Sequence, residues 1–250
     1  MQAPNTPLWL SAQWATDIPV IAGVSLTSSP FAKEGFNLAH HVEDDIDHVI
    51  ENRKKLSEAT HLSGQWLWLN QIHSTTVIED NQYNEHNNYG DAIISRNPKK
   101  IATVLTADCV PILISNQEGT EVAAIHAGWS GIYQDILTAT LTKLHTPTTK
   151  LYAWIGPCAS AQAYEVDENF YQRFIHQDKA YHSYFRSNRP NHYLADLVGM
   201  TKHLLIQNQI SPSHITGGNF CSIKEARFFS YRRDGKLSGR MASFIAPKAA

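Results

Sequence analysis

The 250-residue chain is 42% hydrophobic and 18% charged with a formal net charge of −2, the balance of a globular protein that buries a core. That charge excludes a global basic field for nucleic acid, and no run of about 18 apolar residues offers a membrane span. Three cysteines, an odd number in a long chain, do not describe a disulfide framework and favour a reducing compartment.

Met1 to Trp14 lacks both a positive flank and a long apolar run, so no signal peptide is expected and the protein is expected to be cytoplasmic. Turn signals are spread evenly, without repeats or low-complexity linkers, and residues 1–250 are expected to form one domain. Asp44 and Asp45 ahead of Ile46, Val49, Ile50 and Leu56 predict an amphipathic helix, with Arg53-Lys54-Lys55 on its solvated face. Trp66 to Leu69 reads as a short strand. Ile101 to Thr106 and Val110 to Ser115 read as two more, broken at Ala107-Asp108-Cys109. Pro111 makes the second an edge strand or one that begins at an irregularity. Val122 to Ile125 is a strand, Ile132, Ile136 and Leu137 predict a helix after Gly131, and Leu151 to Ile155 is a strand again. Leu194, Leu197, Val198, Leu204 and Leu205 space like a buried helix face. Phe228 to Arg232 and Met241 to Ile245, flanking Asp234-Gly235, read as a hairpin. The pattern predicts an α/β (α+β) fold, a layered sandwich of mixed sheets flanked by helices.

Three reactive residues stand where an apolar strand stops: His73 after Trp66 to Leu69, Cys109 after Ile101 to Thr106, and His126 after Val122 to Ile125. Strand ends fix side chains rigidly while the loops leave room for a reactant. If the three converge, two imidazoles and a thiolate form a three-ligand site of the catalytic zinc type, able to activate water near neutral pH. Copper fits the same donors. Without a metal, Cys109 can act as nucleophile with His126 or His73 as base. A multicopper oxidase centre calls for many histidines and His-x-His pairs, and none of the 13 histidines are two apart. A nonenzymatic binding protein is a further class. No G-x-G-x-x-G fingerprint or phosphate loop implies a nucleotide cofactor.

Successive blocks across nearly the whole chain resemble the YfiH family. They are Asn70-Gln71-Ile72-His73, Thr106-Ala107-Asp108-Cys109-Val110-Pro111, Ala124-Ile125-His126-Ala127-Gly128-Trp129, and Trp154-Ile155-Gly156-Pro157 with Tyr164-Glu165-Val166. Phe228 to Gly235 and Gly239-Arg240-Met241-Ala242-Ser243, with Phe36-Asn37-Leu38-Ala39 and Glu51-Asn52-Arg53 near the start, complete the series. The resemblance implies metal binding by His73, Cys109 and His126, and a sandwich related to a class of cysteine hydrolases. It also implies purine nucleoside chemistry: phosphorolysis of adenosine, inosine or methylthioadenosine, and deamination of adenosine. Some relatives instead edit peptidoglycan precursors by removing a wrongly incorporated amino acid. The expected partners are therefore small molecules, a purine nucleoside and phosphate, with no nucleic acid and no membrane; oligomeric state is not legible. Asp108 or Glu165 would shuttle protons, Arg232, Arg233 and Arg240 would hold an anion, and Trp129 and Phe229 would stack on a purine. Cys158 and Cys221 are read as structural, with Cys221 a candidate pocket lining. Two departures bear on phosphate: an Arg and paired Gly usual near Gly23 to Ser29 are missing, and Ser130 stands where the family carries Arg.

Overall fold

Two short strands, β1 (Trp9–Ser11) and β2 (Ile21–Ser25), precede helix α1 (Ile46–Thr60) in a computed structural model that describes residues 7–247. The signal-peptide reading and the ends of the 1–250 domain thus fall partly outside the described residues. Asp45 caps α1 by accepting from the Asp47 N–H, and His61, at φ 56°, closes it. The buried face is Val49, Asn52, Leu56 and Thr60, whereas Ile46 and Ile50 face solvent. Lys54 and Lys55 are exposed as expected, but Arg53 is half-buried with its guanidinium 3.8 Å above the Trp68 ring.

Strands β3 (Gln65–Leu67), β4 (Val77–Glu79), β5 (Ala92–Ser95), β6 (Lys100–Thr106), β7 (Val110–Asn116) and β8 (Val122–Ala127) follow. Then come α2 (Trp129–Tyr133), α3 (Ile136–Leu141), β9 (Leu151–Ile155), β10 (Glu165–Asp167) and α4 (Glu168–Gln177). The chain ends with β11 (Phe185–Arg189), β12 (His192–Ala195), α5 (Leu197–Gln207), β13 (Ile215–Gly217), α6 (Tyr231–Asp234) and β14 (Met241–Ala246). One sheet runs β1-β2-β14-β6-β3, a second β13-β9-β7-β8-β5-β4, and a small third β10-β12-β11. Both large sheets are mixed, so the fold is α+β as expected.

Strand β7 shows why its sequence is apolar without alternation. Ile112 and Ile114 point into a core shared with α2, α3 and α5, while Leu113 points into the core between the two large sheets, beside Val104 and Trp154. A strand buried on both faces has no polar side to display. On the outer face of the first sheet, Leu56 of α1 packs with Phe36, Ile101 and Phe244. Helix, sheet, sheet and helix therefore lie in layers. Among the described residues no helix is long and apolar enough to cross a membrane.

Several expectations change. Pro111 lies in a central strand, not an edge. It begins at an irregularity, since Asp108 has φ 90°, and its carbonyl accepts from Gly156 N–H just past the end of β9. The strand expected at Trp66 to Leu69 stops at Leu67. The single helix after Gly131 is two short ones starting at Trp129, interrupted where Asp135 takes φ 62°. Leu194 belongs to β12, not to α5. The C-terminal hairpin does not form. Ser230 Oγ accepts from Arg233 N–H and starts α6, and β14 pairs with β2 and β6 instead. Ser, a strong N-cap, won over the Asp-Gly turn signal.

Candidate metal centre

The chain passes from the first sheet to the second twice near one end of the sandwich. The β3–β4 loop carries His73, and the β6–β7 step carries Cys109, which is why the apolar runs break there. Residue 126 is the penultimate position of β8, paired with Pro111 of β7, so His126 reaches the same end. The donor atoms of His73, Cys109 and His126 lie within 4.8 Å of one another. The two imidazoles stand edge-on, with ring centroids 4.8 Å apart and planes at 84°. His126 is buried, Cys109 half-buried and His73 exposed, so the cluster opens outward.

Asp91, which nothing in its sequence neighbourhood singled out, organises this cluster. It is 0% exposed. Its Oδ1 accepts from His126 Nδ1–H at 2.9 Å and from the His73 backbone N–H at 3.0 Å. Its Oδ2 accepts from Ser74 N–H at 2.6 Å and Ser74 Oγ at 2.8 Å. The left-handed backbone of His73, φ 57°, is therefore held by the residue that also orients His126. Burial works against ionisation of Asp91, but the His126 and Ser74 hydrogen bonds prevail and hold its pKa at about 2.

The thiol of Cys109 behaves likewise. Burial opposes the thiolate, yet the His126 charge and hydrogen bonds from His126 and His73 lower its pKa to about 6. For His126, burial opposes the cation, but Cys109 and Asp91 raise its pKa to about 9. Without a metal, the pair is thus a thiolate and an imidazolium between those values, sharing one proton.

The donors fit a metal: one soft thiolate and two imidazoles, one of them with its far nitrogen engaged by a carboxylate. Gly128 supplies the room, for a Cβ there would meet Cys109 Sγ and His73 Cδ2, each at 3.1 Å. Since φ of Gly128 is −64°, alanine is tolerated by the backbone and probes the space alone. Gly128→Ala is expected to weaken zinc binding by about tenfold, ~1.4 kcal/mol, in a competing-chelator titration. Unchanged affinity would place the ion elsewhere. Zinc binding must also displace the proton shared by Cys109 and His126. Calorimetry in buffers of different ionisation enthalpy is expected to count about one proton released per zinc at pH 7.5 and more at lower pH, with affinity falling as pH falls. Zero release at pH 7.5 would remove the ion pair.

A cavity of about 370 Å³ lies over the cluster, lined by His41, Gln71, Thr106, Tyr231 and Arg240 besides the three donors. Arg240 is held by donating Nη1–H to the Ser238 and Gly239 carbonyls. Gln71 is fixed by paired hydrogen bonds to the Leu105 backbone. Thr106 Oγ1 is buried without a hydrogen-bond partner among the described residues. Burial first, and then Arg240 and Arg53, lower the pKa of His41.

The other expected site residues lie elsewhere. Asp108 spends both carboxylate oxygens on protein donors, Ser222 Oγ and Arg232 N–H, each at 2.6 Å. It thereby ties the step before Cys109 to the start of α6. Glu165 is paired with Arg189 and Asn188, which hold its pKa well down. Arg232 lies over the Tyr164 ring and donates to the Glu165 carbonyl, while Arg233 clamps the carbonyls of Ser222 and Phe228. Neither lines the cavity. Phe229, 0% exposed under Gly35 and Gly239, has no free face for a purine. Trp129 packs against Phe170 and Arg173 instead. Cys158 and Cys221 adjoin through a backbone bridge and stay outside the cavity. Ser130 donates its Oγ–H to the His73 carbonyl at 3.3 Å. The Arg-deficient stretch near Ser28 borders a different depression.

The family model described as multi-copper polyphenol oxidoreductase laccase matches residues 21–248. The purine nucleoside phosphorylase YfiH of Escherichia coli is 38% identical over 226 residues, 90% of each chain. A purine nucleoside phosphorylase of Pseudomonas aeruginosa is 35% identical over 242 residues, covering 95% of this chain and 97% of its own. A crystal structure of a Neisseria meningitidis protein superposes with a TM-score of 0.89 at 32% identity, covering 97% of this chain and 100% of that one.

Proposed function

This chain belongs to the YfiH family, and from that premise we propose that it is a purine nucleoside phosphorylase working at His73, Cys109 and His126. The carrying observation is the convergence of the three donors on the floor of a cavity that also holds Arg240. At about 370 Å³ the cavity sits at the small-molecule end of ordinary ligand pockets, roughly 300–1,000 Å³.

In phosphorolysis a phosphate oxygen bonds to the anomeric carbon as the bond to the purine breaks, and positive charge develops on the sugar. Arg240 is the arginine on the cavity wall, and its planar fork suits a phosphate. Thr106 Oγ1, without a hydrogen-bond partner among the described residues, is available to a sugar hydroxyl or a ring nitrogen. Asp91 keeps His126 in one tautomer and one orientation. A zinc ion held by His73, Cys109 and His126 would supply Lewis acidity beside these groups. Copper is compatible with the same donors. Among the described residues this is the one three-donor group, which does not suit multicopper oxidase chemistry.

The proposal is tested by incubating the protein with adenosine, inosine and methylthioadenosine, with and without phosphate and chelator, and identifying products by mass spectrometry. Free base with sugar phosphate is the expected result. Inosine from adenosine would show deamination as a second activity. A different reading draws on one observation: Cys109, His126 and Asp91 form a thiolate, imidazole and carboxylate in series, the arrangement of a cysteine hydrolase. It suits peptidoglycan-precursor editing. Turnover that survives chelation but not alkylation, with serine or glycine released from a cell-wall precursor, would favour it.

A further inference from the structure

A second cavity, about 470 Å³, opens beside the first, and His41 and Leu105 line both. Its wall carries Arg53, His40, Trp68, Asn88 and Glu85. The arginines of this chain sort by how their charge is met. Arg96, Arg189, Arg227 and Arg233 each pair with a carboxylate. Arg173, Arg186 and Arg232 are exposed, where water serves. Arg53 and Arg240 alone are half-buried and have no carboxylate partner among the described residues, and they border the two adjoining cavities.

Both are oriented without being neutralised. Arg53 donates Nε–H and Nη2–H to the Leu38 carbonyl, at 3.0 and 2.8 Å, and lies on the Trp68 face, which leaves Nη1 uncommitted among the described residues. Arg240 uses Nη1 on two carbonyls and lies 5.6 Å from the Tyr231 ring centroid. Burial lowers the pKa of each guanidinium, outweighing for Arg240 the opposing influence of Cys109 and Asp108. Glu85, the one carboxylate on the second cavity's wall, accepts from Gln65 instead. Asn88 and Tyr83 are occupied by the Trp68 carbonyl. A sequestered positive charge without a partner is costly, and an anionic ligand is the species that compensates it.

The geometry points to an oxyanion site in this second cavity, centred on Arg53 and His41, that receives phosphate and communicates with the reaction centre past Arg240. It assigns phosphate to Arg53, His41 and Arg240 rather than to Arg232 and Arg233. Its use in turnover rests on the proposed phosphorylase reading, whereas its binding does not. The phosphate group has two sources, free inorganic phosphate or the phosphate of a nucleotide substrate.

Inorganic phosphate and adenosine 5′-monophosphate are titrated separately into the full chain, without nucleoside, following calorimetry and tryptophan fluorescence. Saturation by phosphate assigns the free anion, and saturation by the nucleotide alone assigns a substrate-borne phosphate. Silence to both overturns the site. Binding is expected to weaken at least tenfold in Arg53→Gln, and the fluorescence change to vanish in Trp68→Phe, because Arg53 lies on that ring. Since Arg53 also ties down Leu38, His41→Gln serves as the second variant and is expected to weaken binding several-fold. Wild-type binding in a folded Arg53→Gln, or in His41→Gln if the former does not fold, overturns the assignment. Phosphorolysis with an unchanged phosphate KM in either variant also sinks the site while leaving the phosphorylase reading intact. Phosphate binding that needs Arg53, without turnover of any nucleoside, does the reverse.

Discussion

Replacing Cys109 by alanine is expected to empty the site of zinc and to lower kcat/KM for nucleoside phosphorolysis by about a thousandfold, near 4 kcal/mol of transition-state stabilisation. The size follows from the donor set. On the proposed reading His73 and His126 would be the other two protein ligands, and removing the anionic one leaves two imidazoles at the mouth of a solvent-open cluster. Metal analysis of the purified variant and steady-state kinetics check both halves. Cys109→Asp separates ligand from nucleophile: a carboxylate restores an anionic donor, so zinc content and a fraction of activity are expected to return. A nucleophilic thiol has no such rescue, because a carboxylate in its place would not complete the same cysteine chemistry. Zinc retained in Cys109→Ala at wild-type affinity would exclude Cys109 as a ligand.

The layers of the fold were legible because the signal is local. Strands β6, β7, β8 and β9 announce themselves as apolar runs, and the break at Ala107-Asp108-Cys109 marks where the chain leaves one sheet for the other. The stops of those runs also nominated His73, Cys109 and His126, which the structure brings together. What failed was non-local or was decided by competition between signals. Ser230 as a helix cap outweighed Asp234-Gly235 as a turn, so Arg233, expected to hold an anion, instead fastens α6 to the Ser222 and Phe228 carbonyls. Arg53 looked like part of a solvated basic triplet because its neighbours Lys54 and Lys55 are one; only the fold sets Trp68 beneath it. Phe229 had the chemistry of a stacking residue but lies where Gly35 and Gly239 leave it no open face.

Asp91 is the largest omission, and its distance from its partners explains it. It sits 18 residues from His73 and 35 from His126, and just ahead of the short strand β5. A lone Asp after Gly90 reads as a turn residue. Its position becomes meaningful only when β5 pairs with β8, placing Ala92 opposite Ile125 and the Asp91 carbonyl against the His126 N–H at 2.7 Å.

Asp91→Asn is accordingly expected to be nearly as damaging as loss of a ligand, although it changes one oxygen to NH₂. The groups that Asp91 Oδ1 and Oδ2 face include the Ile72, His73 and Ser74 backbone N–H groups and the His126 Nδ1–H, all donors. An amide cannot accept at both ends, so one orientation confronts Ser74 N–H with NH₂ and the other confronts His126 Nδ1–H. Either leaves buried donors unsatisfied, at about 1–3 kcal/mol of stability. The second consequence is electrostatic. The carboxylate, ionised down to a pKa of about 2, supports the cation on His126, whose pKa it helps raise. With a neutral amide that support is lost, so the metal-free imidazolium is expected to deprotonate at lower pH, measurable by NMR titration of the ring. Zinc affinity is expected to fall about 10–100-fold, the usual cost of losing the partner that orients a ligating histidine. Asp91→Glu, which keeps the charge but lengthens the side chain in a site with no exposed surface, is expected to recover the high His126 pKa more fully than the zinc affinity. Wild-type zinc affinity in Asp91→Asn would show that His73 and His126 need no common anchor.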